Sequence, residues 1–271
     1  MSSDSIVLAQ LQVQDCTAEL YVNGIPLIRL TPARVPIENV AVEHLLVPST
    51  NSIEVVVEPG PSPSLARTGY GELGFRAMEA VGRLVRFPEG VPGLVEHGEL
   101  LGETRFGWAS PHPERRAFPA AVSTQVELGP AHGRWAWQDA PQLTLDQALL
   151  EEACALIDRV EAALRAGLVE PLWQLAELQV KDVLRAYPAL SESELRADLA
   201  ELLHHHQQAT DPVIPHDPSN HDFRLVAGGK LLELCDRDWT TSIKLRDPKD
   251  GSPVPYRLFV ARIGPALRIV R

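Results

Sequence analysis

The chain has 271 residues, 45% of them hydrophobic and 23% charged, and its 36 acidic against 25 basic side chains give a formal net charge of −11. That length holds one large or two ordinary domains, and the composition is that of a globular protein rather than a disordered one. The acidic balance argues against general nucleic-acid binding, which needs clustered Lys and Arg, and no window approaches the ~18 uninterrupted apolar residues of a membrane-spanning helix. Three widely spaced cysteines, Cys16, Cys154 and Cys235, form neither a disulfide framework nor a zinc ligand set. They read as buried thiols in a reducing cytoplasm. The opening ten residues lack a basic region and carry only a four-residue apolar run, so no cleaved signal peptide is expected.

Residues 6 to 60 are strand-like. Ile6, Leu8, Leu11 and Val13 precede a hairpin, Ala18 to Leu30, whose Asn23-Gly24 pair signals a type I′ turn because both central residues need positive φ. Asn51 opens a further strand that runs to Val55-Val56-Val57, an apolar run expected to be buried on both faces. The Pro-rich stretch from Glu58 to Ser64 ends it. Val81, Leu84, Val85 and Phe87 predict one strand, and Gly98 to Gly102 another. Trp108 to Pro119 reads as an exposed loop. Val122 to Leu128 and Arg134 to Gln138 read as two strands around the turn Gly129 to Gly133, with Trp135 and Trp137 on one face. Short strands with regular turns describe an antiparallel sandwich.

The period then changes to helical. Thr144-Leu-Asp-Gln147 reads as a capping box, followed by an apolar stripe at 149, 153, 157, 160 and 164 and a Gly167 stop. Pro171 opens a second helix with Leu172, Ala176, Val180, Val183 and Tyr187 inward, closed by Pro188. Ser191-Glu-Ser-Glu194 is another capping box, opening a third helix with Leu195, Leu199, Leu202 and Leu203 inward. After Pro212 the period returns to two. Phe223–Ala227, Lys230–Cys235, Thr240–Arg246, Tyr256–Arg262 and Leu267–Val270 predict a four- or five-stranded meander. The whole reads as two domains. Residues 1–140 form an all-β antiparallel sandwich, and residues 141–271 an α+β domain of three helices followed by an antiparallel sheet.

Two resemblances follow from these residues. Tyr21-Val-Asn-Gly24, with Ala41-Val-Glu-His-Leu-Leu-Val-Pro-Ser-Thr-Asn-Ser-Ile-Glu-Val-Val-Val57, resembles the jelly-roll sugar-binding-type domain of glycoside hydrolases. Ser49-Thr50 stands where that family usually has a Gly before the Asn. The matching positions are turns and core, so the resemblance implies a scaffold and carries over no carbohydrate-binding residue. The C-terminal half resembles the nuclear-transport-factor-2-like, or ketosteroid-isomerase-like, cone fold through Leu156 to Gly167, Leu258 to Gly264 and Arg268 to Arg271. That resemblance implies helices packed on a curved sheet. Enzymes of the family use carboxylates and tyrosines inside the cone, but none of their motifs aligns here residue by residue.

Candidate chemistry is sparse. His204-His205-His206 on a helix fan ~100° apart and cannot converge on one ion, although His216 and His221 with Asp217 and Asp222 lie near in sequence; no metal site is expected. Asp238 beside Trp239, and Asp182 with Tyr187 and Trp173, are the residues placed to line a ligand pocket, and the same positions serve equally as turn and core. Gly69 to Gly74 matches a dinucleotide fingerprint by letter but follows no buried strand. No G-x-S-x-G is present and no Cys has a His beside it in sequence, so no catalytic residue and no cofactor are assigned.

Residues 142–208 hold twelve acidic and five basic side chains, whereas 209–271 hold eight acidic and ten basic. An acidic helical face suits a basic protein partner. The expected role is a non-enzymatic, cytoplasmic, bacterial protein-interaction or accessory protein of an immunity- or secretion-associated kind, with self-association left open. The alternatives are a small-molecule binder or enzyme using the C-terminal cone, and a carbohydrate-binding protein using Trp108, Trp135 or Trp137 of the first domain.

Overall fold

Ser5–Gln14, a continuous apolar run over residues 6–9 that passes into alternation with glutamines, forms the first strand, β1, in the computed structural model of the protein. The structure describes residues 5–32, 37–68, 71–73, 77–88, 97–108, 116–128 and 134–271. Ala18–Val22 (β2) and Ile25–Leu30 (β3) make the expected hairpin, and Asn23 and Gly24 take φ of 52° and 75°. Positive φ at both positions is what a two-residue loop requires to match the twist of its strands. Ile37–Ala41 (β4) and Ser49–Val57 (β5) follow, then the short Gly71–Leu73 (β6) and the long Met78–Pro88 (β7). Glu99–Trp108 (β8), Arg116–Phe118 (β9) and Ala120–Leu128 (β10) complete this half.

The eight longer strands make two antiparallel sheets, ordered β4-β1-β7-β8 and β10-β5-β2-β3, which face one another; β6 pairs with β9. Gly82 shows how closely they approach. A Cβ there would lie 2.6 Å from Leu20 Cδ1 and 2.8 Å from Val55 Cγ2 on the opposite sheet, so only hydrogen fits. Val55, Val56 and Val57 are fully buried, as their continuous apolar run predicts.

By internal contacts the chain divides into two units, Met1–Pro61 with Leu65–Arg134, and Ser62–Ser64 with Trp135–Arg271. The second unit departs from the sequence reading in several places. Arg134 to Gln138 is not a strand: Ala136–Asp139 is a 3₁₀ turn, capped through its own Gln138 side chain, and Trp135 and Trp137 are both buried. The first helix, α1 (Gln147–Ala166), is capped by Asp146, whose carboxylate accepts from Leu149 N at 2.9 Å, and not by Thr144. An ionised cap also complements the helix dipole, which a hydroxyl does not. Its buried stripe at 149, 153, 157, 160 and 164 and its left-handed Gly167 stop are as expected.

The predicted second helix is two: α2 (Val169–Leu175) and α3 (Glu177–Ala186) meet at Ala176, where φ −94° and ψ 9° break the regular backbone. The break lets α2 pack on α1 and α4 while α3 packs on the C-terminal strand. The last helix, α4 (Glu192–His206), has the expected Ser191–Glu194 capping box, but Leu202 faces solvent rather than the core. There are thus four helices among the described residues where three were predicted.

The expected C-terminal meander is two sheets. Val213–Ile214 (β11), Lys244–Arg246 (β14) and Pro253–Pro255 (β15) form one. Arg224–Val226 (β12), Leu231–Glu233 (β13), Phe259–Ile263 (β16) and Ala266–Ile269 (β17) form the other, all antiparallel. The chain after β13 starts back alongside it, with Cys235 bridging Thr241, then leaves to pair with β11 and β15. The space between α1 and these strands is filled by their own side chains, among them Leu156, Val160, Leu232, Ile243, Val260 and Leu267. No helix among the described residues is long and apolar enough to cross a membrane.

Candidate functional site

Asp182 is buried on α3, and both its oxygens are taken. Arg185 Nη2 donates to Oδ1 at 2.8 Å, Ala136 N to Oδ2 at 3.2 Å, and Arg271 Nη1 lies 3.5 Å from Oδ2. The two guanidiniums also lie over the Trp135 ring, at 4.6 and 5.8 Å. Burial pulls Arg271 down to about 10 against the field of Asp182, then of Tyr187, so it stays charged at neutral pH. Asp182 and Tyr187 therefore face one cation, and the carboxylate is the countercharge of a buried ion cluster.

The other sequence candidates have different partners. Trp173 is buried under Arg196 of α4, with the guanidinium 4.1 Å from its ring. Asp238 caps its own exposed turn, accepting from Thr240 N and Oγ1 at 3.1 and 2.6 Å. Burial works to raise Asp238, but the bonds from Thr240 outweigh it and hold the carboxyl below its ordinary value. Trp239 takes φ 67° at that turn and stacks under Arg224. Arg224 and Arg257 converge instead on Glu233, a carboxylate that the apolar β13 run did not advertise. A cleft of about 230 Å³ lies beside the start of α1, lined by Gln142, Leu143, Asp146, Leu149 and Arg262, and holds none of the five candidates. Trp108, Trp135 and Trp137 are 8%, 0% and 6% exposed, so none offers a ring face to a sugar. Trp108 ends β8 and Phe118 ends β9, so the predicted loop is buried strand at its flanks, and its residues 109–115 lie outside the described residues. Residues 69, 70 and 74 of the glycine motif and the turn 129–133 lie outside them as well.

The histidines divide. In the 204–206 run His204 is exposed, while His206 is buried with Nδ1 2.8 Å from Arg246 O. The loop histidines meet a partner that sequence reading missed: His221 Nδ1 lies 3.6 Å from Cys154 Sγ on α1. His221 Nε2 lies 3.1 Å from His216 Nδ1, and His216 Nε2 lies 2.9 Å from Asp158 Oδ1. The only local signal was Cys154 and Asp158 at i and i+4, one face of a helix. Among the described residues no three His, Cys, Asp or Glu side chains converge as a metal site would need.

The helical segment carries exposed acidic charge. On α4 only Leu203 and His206 are buried out of fifteen residues. Arg196 pairs with Glu192 at 3.0 Å and with Glu170 at 2.9 Å. Glu194, Asp198 and Glu201 stand exposed at i, i+4 and i+7, one line along the helix. Glu194 is committed to the cap at Ser191, but Asp198 and Glu201 have no cationic partner among the described residues. Comparison with family models, with curated proteins and with solved structures found no match.

Proposed function

We propose that the protein is a non-enzymatic interaction protein of the bacterial cytoplasm whose acidic helical segment receives a basic protein partner. The observation that carries this reading is α4. Only Leu203 and His206 of its fifteen residues are buried, so the helix gains little from packing on its own fold, and the like charges of Glu194 and Asp198 at i, i+4 weaken it further. A basic surface laid along Asp198 and Glu201 would supply the countercharge, and exposed Leu202 beside them adds apolar contact.

In this reading both units are scaffolds. The N-terminal sheets are taken as jelly-roll-like, supported by the Asn-Gly hairpin and the buried Asn51 strand. The C-terminal unit is taken as related to the nuclear-transport-factor-2-like fold, supported by helices preceding antiparallel strands, with a packed interior in place of an open cone.

The test is capture from bacterial lysate on immobilised protein, comparing wild type with the double variant Asp198→Lys, Glu201→Lys. Proteins held by wild type at low salt should be lost from the variant, and lost from wild type at about 1 M salt, where the screening length is ~3 Å. An identical captured set from both proteins would overturn the reading.

A further inference from the structure

Asp158, His216, His221 and Cys154 form an unbroken line of hydrogen bonds that the interaction reading leaves unused. Cys154 and Asp158 sit one turn apart on α1. The two histidines come from the loop between β11 and β12, which is tied to α1 by a bond from His216 N to Glu161 Oε1 at 2.8 Å. The rings of His216 and His221 are stacked with centroids 5.0 Å apart, and His221 stacks in turn on Phe223 at 4.7 Å.

The carboxylate sets a direction along the line. An ionised Asp158 only accepts, so the proton of neutral His216 is assigned to Nε2 and its Nδ1 is bare. His221 must then donate from Nε2, which leaves its Nδ1 bare and facing the thiol. Cys154 S–H is the donor at the end. The groups stand in series rather than around a point, because His221 turns its two nitrogens to different partners. No single ion could be held by Cys154 and His216 through that imidazole, but a proton can be passed along the line.

We propose that Cys154 is a modification site for low-molecular-weight disulfides, with His221, His216 and Asp158 as the proton path that releases its sulfur. In the step, Cys154 Sγ bonds to one sulfur of RSSR as the S–S bond breaks. The thiol proton passes to His221 Nδ1, the Nε2 proton of His221 passes to His216 Nδ1, and Asp158 holds the resulting imidazolium. The leaving RS⁻ takes up one proton from solvent and the path returns one, so RSSR and protein-SH become protein-S–SR and RSH.

Exposure favours this step, while the proton affinities hold the pair neutral until disulfide arrives. Cys16 and Cys235 are buried, whereas Cys154 is partly exposed, and the Asp158 side chain, 70% exposed, ends the path at solvent. Burial, and then the Asp158 charge, push the thiol up, while burial pulls His221 down. Asp236, on the turn after β13, and Asp217, in the loop, oppose that shift on His221; His216 and Lys244 on β14 reinforce it. The resting pair is therefore neutral thiol beside neutral imidazole; both shifts work against a standing thiolate, so the proton leaves the sulfur for His221 only as the sulfur bonds to RSSR.

Oxidised glutathione added to the folded, full-length protein at pH 7, with adducts located by peptide mass spectrometry, tests the proposal. Cys154 should be modified before Cys16 and Cys235. His221→Gln should slow it about a hundredfold, the lower end for a positioned base, and Asp158→Asn should slow it by less, because it also removes the charge that pushes the thiol up, with equal rates for all proteins once denatured. Should His221→Gln fail to fold, Asp158→Asn changes an exposed carboxylate and keeps the test. Modification of either variant as fast as wild type, or of another cysteine first, overturns the proposal. So does stoichiometric binding of added Zn²⁺ that shields Cys154, which would make the cluster a metal site.

Discussion

Replacing Asn51 should cost the N-terminal unit more than any surface change. Its side chain is fully buried at the start of β5 and makes four hydrogen bonds. Oδ1 accepts from Val47 N at 2.7 Å and from Asn23 Nδ2 at 2.8 Å, while Nδ2 donates to Val47 O at 2.9 Å and Ser49 O at 3.4 Å. Asn23 also donates to Leu45 O and accepts from Ser52 N, so the two asparagines lock the hairpin turn to the strand entry. Asn51→Ala strands the Val47 N–H and one Asn23 donor, each costing about 1–3 kcal/mol, with some recovery by water at half-buried Val47. A net loss of about 3–5 kcal/mol follows, because the removed amide also leaves a small void. At 1.4 kcal/mol per decade, peptide-resolved hydrogen exchange should show protection in β2, β3 and β5 fall by about 10² to 10³·⁵. Asn23→Gly keeps the positive φ but drops the bonds, and combined with Asn51→Ala should cost less than the two changes summed. Protection within about threefold of wild type in Asn51→Ala, under ~0.7 kcal/mol, would refute this account.

Gly82→Ala should destabilise the same unit by about 1–3 kcal/mol, the usual cost of overpacking a close sheet contact, read from the same exchange profile; an unchanged profile would mean the sheets have slack there. Asp146→Ala should lower the stability of α1 by about 1 kcal/mol while Thr144→Ala leaves it unchanged, as measured by urea denaturation; equal losses would return the cap to Thr144. His221 has its pKa drawn below the ordinary 6.5 chiefly by burial, so the unfolded chain binds more protons there and stability falls as pH drops below 6.5 towards the folded value. His221→Gln should flatten that part of the urea-midpoint profile. Glu161, raised by burial, slopes the other way in both proteins, so the difference between them isolates the histidine.

How much of this was legible in sequence depends on how local each cause is. The hairpin, the valine run and the α1 stripe follow from turn chemistry and period within a few residues, and each stands where the pattern puts it. The role of Asn51 is half local: its bonds to Val47 and Ser49 are near, but Asn23 is 28 positions away. Asp182 looked like a pocket carboxylate because it lies beside an apolar helical stripe. What occupies it includes a backbone N–H 46 residues earlier, a partner no spacing rule reaches. Trp135 and Trp137 alternate with Ala136 as a strand would, yet burial of both indoles in the 3₁₀ turn decides the conformation there, and tertiary packing overrides so short a pattern.

The misread meander and the missed cysteine partner share a cause at Asp236. This carboxylate is buried and accepts from Ser242 Oγ at 2.9 Å and from Lys244 Nζ at 2.7 Å. Those bonds, with Asp236 N donating to Thr240 O and the positive φ of Trp239, turn the chain tightly and direct it away from β13 towards β11 and β15. Period-two patterning cannot register such a departure, since both sheets demand the same alternation. The same turn pins the histidine loop, through the His221–Asp236 bridge, Arg237 N donating to Asn220 O and Asp222 N donating to Cys235 O. Had the strand continued beside β13 as predicted, these anchors would be lost, leaving His221 held towards α1 only through His216 and its bonds to Glu161 and Asp158. The placement of His221 on Cys154 thus leans on contacts organised by the Asp236–Lys244 ion pair, far from it in sequence, which is why a one-dimensional search for a Cys beside a His passed over it.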